Sequence, residues 1–191
     1  MGAVGGGLAE HVLERSDLRL QDYRDLQGSF NRIVSIEMLE AVGQAYWPTY
    51  FEKLRSCLRP GGVAVLQVIT IDDARFGVYR QRPDFIQKYI FPGGMLPTSS
   101  IIEREAAKAG LQLVAQELFG RSYARTLKAW QHRFQESWPR VAVMGFDERF
   151  KRTWEYYLDY CQAGFETGAL DVGLYKLTYA RVLTAAAATS G

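Results

Sequence analysis

Between Arg32 and Ile69 the sequence sets an apolar strand pattern, then a helical stripe, then a second and nearly uninterrupted apolar strand. Few folds accept that order. Ile33, Val34 and Ile36 mark the first strand, which runs into Glu37, Glu40 and a glycine turn at Gly43. Trp47, Tyr50, Phe51, Leu54 and Leu58 recur at helical spacing, with Pro48 in a first turn that needs no backbone donor there. The helix ends at Arg59, Pro60, Gly61 and Gly62, and Val63 to Ile69 reads as a central strand, since apolar side chains on both faces call for burial on both. Together these describe an open α/β sheet, whose strands present their carboxyl ends to a ligand crevice. Ile33, Val34 and Ile36 would anchor the segment while Glu37 and Glu40 face a ligand; a helix-capping or solvated acid pair is the alternative.

The flanking segments extend that pattern. Leu18 to Gln21 reads as a short strand, followed by a polar loop from Asp22 to Asp25. After Thr70 the chain becomes irregular and rich in Arg, Tyr and Phe as far as Pro92, Gly93 and Gly94, a length typical of a lid or binding loop. Thr98 or Ser99 can cap a helix running to Lys108, Gly110 stops it, and Leu111 to Leu118 is strand-like. Two aromatic helices follow, one lined by Tyr123, Leu127, Trp130 and Phe134, the other by Phe150, Trp154, Tyr157, Leu158, Cys161 and Phe165. Such stripes read as core packing. Val172 to Ala180 is the last strand, and Thr184 to Gly191 a frayed tail. The later half of a doubly wound α/β domain is present in this order; an earlier half is not.

With 191 residues, 48% apolar and 13% aromatic, the chain suffices for one folded domain. A formal net charge of +2 gives no nucleic-acid footprint, yet it does not oppose an anionic membrane surface. Cys57 and Cys161 both lie in helical apolar patterns, so a reducing compartment is expected and a disulfide is not. No run is long enough to span a bilayer and no leader pattern is seen, which predicts a soluble protein. His11 and His132 stand far apart without ligand-spaced neighbours, so no metal site is predicted, and no Gly-x-Ser-x-Gly elbow occurs. The glycines of MGAVGGGL lack the preceding strand that a phosphate-binding loop requires.

Taken in order, RLQDYRDL, RIVSIEMLEAVG, LRPGG, LQVITI, YIFPGGMLP, YARTLKAW and FDERFKRTWEYYLDYCQAGF closely resemble the cyclopropane-fatty-acyl-phospholipid synthase family, over about Arg19 to Val182. These are S-adenosylmethionine-dependent class I methyltransferases. The resemblance implies a Rossmann-like sheet, incomplete at its N-terminal half, with inserted helices forming an acyl-chain cap. It divides the chain into a poorly matching segment 1–18, a partial methyltransferase domain 19–183 and a tail 184–191. It also implies roles for particular residues. Asp22 and Tyr23 match the loop at the adenine end of the methyl donor, and Ile36 matches a wall of the cofactor pocket. Glu40, Ile69 and Tyr123 match positions that hold a bicarbonate ion, and Gln67 stands where many members place a histidine of the same ion site. Glu40 cannot attract an anion, so it would accept the ion's own hydrogen or act through an intermediary, while Tyr123 can donate. Glu37 would be a supporting acid.

Two departures bear on function. Gln67 can donate a hydrogen bond but cannot titrate, and Ala41 replaces a histidine found in some members. No VLDIGCGWG-like glycine loop occurs, nor the segment bearing the family's ion-binding cysteine, nor an acidic strand end for the donor ribose. The resemblance therefore implies methyl transfer to the double bond of an unsaturated phospholipid acyl chain, impaired by the missing loop. The alternative is a noncatalytic lipid-binding or partner-binding fragment. The implied partners are acyl chains and a peripheral membrane surface on the cytoplasmic side, with no nucleic acid; a homo-oligomer is left open. Arg80 and Arg82 in the irregular excursion are expected near lipid headgroups.

Overall fold

The computed structural model describes residues 14–180. The expectations for the N-terminal glycines, His11 and the tail 184–191 lie outside these residues. Among them four strands, β1 (Phe30–Ile36), β2 (Leu58–Ile71), β3 (Leu111–Leu118) and β4 (Leu170–Tyr179), form one sheet in the spatial order β1-β2-β4-β3. β1 pairs parallel with β2, placing Ile33 beside Ala64 and Ile36 beside Gln67. β4 lies antiparallel between β2 and β3, so the sheet is mixed. The helices are α1 (Leu39–Val42), α2 (Trp47–Cys57), α3 (Asp73–Tyr79), α4 (Phe85–Tyr89), α5 (Ser99–Lys108), α6 (Gly120–Val143) and α7 (Glu148–Glu166).

Side-chain alternation along β2 decides which face each layer takes. Ala64, Leu66 and Val68 are fully buried against Tyr50, Phe51 and Leu54 of α2 and Ile101, Ile102 and Ala106 of α5. On the opposite face Ile69 packs on a second cluster, formed by Ala124, Leu127, Leu158, Phe165 and Val172, where the α6–α7 hairpin meets β4. Val63 and Val65, nearer the start of β2, are only half-buried, so burial on both faces holds for just one end of that strand. The same alternation corrects the reading of β1. Ile33 packs on the core, but Val34 and Ile36 are 67% and 56% exposed, because they share the outward face of an edge strand.

The strand expected at Leu18 to Gln21 is absent. Leu18 and Leu20 project into solvent, and among the described residues no strand pairs with them. The excursion after Thr70 is not irregular but holds α3 and α4, each begun by an aspartate cap: Asp72 accepts from Ala74 N, and Asp84 forms a reciprocal capping box with Gln87. Thr98 caps α5 by accepting from the Ile101 N–H at 3.2 Å and is almost fully buried. Thr98→Ala strands that N–H away from water, so the urea midpoint should fall by the equivalent of about 1 kcal/mol.

Candidate functional site

Glu37 lies just beyond the carboxyl end of β1, and its N–H donates to the Gln67 carbonyl at 2.8 Å, so the chain stays tied to β2 as it turns. It has φ +48°, the left-handed conformation that side chains with a Cβ seldom adopt. That turn aims its carboxylate back over β2. Glu37 Oε1 accepts from Gln67 Nε2 at 2.8 Å and also from the Tyr123 hydroxyl, while Gln67 Nε2 lies 3.4 Å from the same hydroxyl. Tyr123 reaches this point because its helix starts against β4: Gly120 N donates to Asp171 Oδ1 at 2.9 Å, and a Cβ at Gly120 would lie 2.7 Å from that oxygen. Only glycine allows so close an approach.

Glu40 comes from α1, one turn further along. Its Oε1 accepts from the Ile69 N–H at 2.5 Å, and its Oε2 is buried without a partner. Burial pushes this carboxyl up to about 7; the Ile69 N–H opposes the shift and the charge of Glu37 adds to it. Tyr123 is raised above the ordinary phenol range by burial and then by its acceptor Glu37, so it stays a donor at neutral pH. The site thus joins two carboxyl groups in unlike surroundings, one accepting two hydrogen bonds and one desolvated.

Both glutamates line a cavity of about 1010 Å³ whose remaining wall is largely apolar, with Ile69, Ile71, Val78, Ile86, Phe91 and Leu170 among its residues. Its far side comes from α7 through Tyr157, Tyr160 and Cys161. Tyr157 and Cys161 belong to the stripe expected as core packing and do pack on that cluster, yet they also face the cavity; the Tyr157 hydroxyl within an apolar stripe is the sequence signal of this second role. Hydrogen bonds hold the walls together. Tyr160 donates to Asp84 Oδ2 at 2.9 Å, Tyr79 accepts from Leu96 N at 3.2 Å, and Met95 N donates to the Glu40 carbonyl at 2.9 Å. Burial raises the Cys161 thiol to about 12, which leaves it unreactive at neutral pH.

Glu40, Gln67, Ile69 and Tyr123 are therefore brought together, with Glu37 at their centre. Ile36 sits beside Gln67 in the sheet, whereas Asp22 and Tyr23 lie on a turn packed against α2. Asp22 caps a 3₁₀ turn at Tyr23–Asp25 and binds the Arg24 guanidinium, which holds its carboxyl down at about 2. Tyr23 packs edge-on against Tyr50 with ring centres 5.9 Å apart, and Tyr50 in turn donates to Ser35 Oγ at 2.7 Å, next to Ile36. His132 sits on the surface of α6, 3.3 Å from Glu136.

The donors that a bicarbonate ion would need are already engaged. Gln67 Nε2 and the Tyr123 hydroxyl point to Glu37, and Ile69 N points to Glu40. An anion there would face two carboxyl groups and no free donor from that set, so these residues do not fit it. For S-adenosylmethionine the fit is partial. Ile36 is exposed on the outward face of β1 whereas the Tyr23 ring packs on Tyr50 at its core face, and no VLDIGCGWG-like segment occurs in the sequence.

A family model described as mycolic acid cyclopropane synthetase matches residues 8–174. The chain is 45% identical over 164 residues to the tuberculostearic acid methyltransferase UfaA1 of Mycobacterium tuberculosis, spanning 85% of this chain and 38% of the relative. It is 38% identical to the cyclopropane-fatty-acyl-phospholipid synthase of Escherichia coli K12, spanning 85% and 40%. It thus covers about two-fifths of these curated relatives. Among solved structures, the cyclopropane synthase MmaA2 of M. tuberculosis superposes with TM-score 0.75 at 28% identity, over 88% of this chain and 64% of the other. The mycolic acid cyclopropane synthase CmaA1, solved with SAH and CTAB, shares the fold with TM-score 0.76 at 23% identity, over 88% and 64%. Among the described residues the four-stranded sheet is an incomplete one of the class I methyltransferase type.

Proposed function

The chain belongs to the mycolic acid cyclopropane synthetase family, and on that premise we propose that it carries the acyl-binding and proton-handling half of an enzyme that methylates the double bond of an unsaturated phospholipid acyl chain. One observation carries this reading: a largely apolar cavity of about 1010 Å³ that has Glu37 and Glu40 in its wall. A long hydrocarbon chain fits such a wall, and its double bond beside the carboxyl groups meets the polar chemistry that proton loss requires. S-adenosylmethionine supplies an electrophilic methyl group to such a reaction, and Ile36, Tyr23 and Asp22 would contact it here. Glu40, its carboxyl raised to about 7, is only partly charged near neutral pH, Tyr123 keeps its proton and donates it to Glu37, and the apolar wall excludes water from a cationic chain.

Arg75 and Arg82 line the same cavity, whereas Arg80 does not. We place the headgroup at this pair, since guanidinium groups bind phosphate well. Arg75→Glu with Arg82→Glu should reduce co-sedimentation with phosphatidylglycerol vesicles several-fold, while Arg80→Glu should change it little.

The test of function is incubation with methyl-labelled S-adenosylmethionine and oleoyl phospholipid, followed by mass spectrometry of the acyl chains. Gain of one CH2 group supports catalysis by this chain. A second reading, a noncatalytic lipid-binding or partner-binding fragment, is favoured by the missing glycine loop; acyl binding without transfer or donor binding selects it. Absence of acyl binding overturns both.

A further inference from the structure

We propose that the Glu37 carboxylate takes the place of a bound bicarbonate in this chain and is itself the proton acceptor of the acyl site. The inference rests on the methyl-transfer reading above, and three observations support it. First, its carboxylate holds the two side-chain donors, Gln67 Nε2 and the Tyr123 hydroxyl, that the resemblance assigns to the ion. Second, the third of those positions, Ile69, gives its N–H to Glu40, so no donor of the set is left for a mobile anion. Third, Glu37 is the one non-glycine residue with positive φ among the described residues. Backbone strain of that kind persists where the surrounding structure demands it, and here it delivers the carboxylate to the cavity wall.

The choice between the two acids follows from their surroundings. Glu40 is desolvated, with one oxygen buried and unpartnered, which favours its neutral form. Glu37 accepts two hydrogen bonds at a single oxygen, an arrangement suited to a carboxylate. Gln67 matches this role in a way a histidine would not. Its amide donates to Glu37 without ever carrying a charge of its own. Once an alkene carbon has gained the methyl group, its neighbour is a carbocation. A C–H bond of the alkylated chain then breaks, its electron pair forms the new carbon–carbon bond, and the proton passes to a Glu37 oxygen. The products are a neutral acyl chain and a carboxylic acid, which returns the proton to solvent.

Glu37→Gly is the informative variant, because glycine accepts the left-handed backbone and vacates the anion position. In a nuclear magnetic resonance titration with isotopically labelled bicarbonate, the unaltered chain should show no saturable binding and Glu37→Gly should acquire it, with folding checked by circular dichroism. Saturable binding by the unaltered chain, or none by a folded Glu37→Gly, overturns the proposal. This titration needs no methyl transfer, so it stands apart from failure of the functional reading. Where transfer is measured, carbonate-free buffer should leave the unaltered rate unchanged. Glu37→Gly should lose on the order of 100-fold and recover with added bicarbonate. Glu37→Gln, which keeps the side-chain volume, should lose activity without such recovery; bicarbonate rescue of Glu37→Gln would also overturn it.

Discussion

Glu40→Gln should flatten the dependence of stability on pH between about 4.5 and 7. The unaltered carboxyl moves from an ordinary value of 4.5 to about 7 on folding, chiefly through burial. A group whose folded value is raised binds its proton more tightly in the folded state. Its contribution is fully present below 4.5 and is lost as pH rises through about 7. The shift corresponds to up to about 3 kcal/mol, which makes Glu40 one of the larger single determinants of pH sensitivity in a domain of this size. Urea unfolding at a series of pH values reads it directly: the midpoint of the unaltered chain should fall across this interval, and that of Glu40→Gln should follow a shallower line. The glutamine cannot ionise, and its oxygen can still accept from Ile69 N. An equal slope in both proteins would place the titrating group elsewhere.

Phe51→Ala should cost about 3–5 kcal/mol, close to the whole stability of many domains. Phe51 is 0% exposed and lies within the cluster that joins α2 to β2 and α5, with the Tyr50 ring edge-on at 5.4 Å. Truncation removes the transfer free energy of the ring and opens a cavity among neighbours held by two other elements, so little collapse is available to offset it. A smaller ring-to-branched change, Phe51→Leu, should cost clearly less. Chemical denaturation of the two variants measures both, and similar losses would show that the site relaxes freely. The effect reaches function as well, because Tyr50 holds Ser35 at the end of β1, two residues before Glu37.

What was legible in the sequence followed from local periodicity. α2 and β2 were visible because each buries one face completely, and that burial imposes a 3.6-residue or two-residue rhythm. The caps of α3 and α4 were written at Asp72 and Asp84, but a dense run of Arg, Tyr and Phe masked them. The strand read at Leu18 failed for a different reason: a strand depends on a partner ladder, which no local pattern supplies. Parallel β1 and β2 were foreseeable from a strand–helix–strand unit, whereas the antiparallel place of β4 between β2 and β3 depends on long-range pairing. At the site, Glu40, Gln67, Ile69 and Tyr123 were named from resemblance and do converge. Residue spacing shows Glu37 only as a supporting acid, since neither its left-handed backbone nor its two hydrogen bonds can be read from it.

The cavity between β2, α3, α4 and α7, which opens onto Glu37 and Glu40, is the proposed acyl-chain site. The most direct measurement uses an oleoyl phospholipid carrying a photoactivatable diazirine in its acyl chain, with crosslinked peptides mapped by mass spectrometry. The predicted result is labelling at Val78, Ile86 and Tyr157, which line the cavity on three different helices, suppressed by an excess of unlabelled lipid. Labelling confined to the exposed apolar end of the α6–α7 hairpin, at Val143, Met144 and Phe146, with none in the cavity, would contradict it.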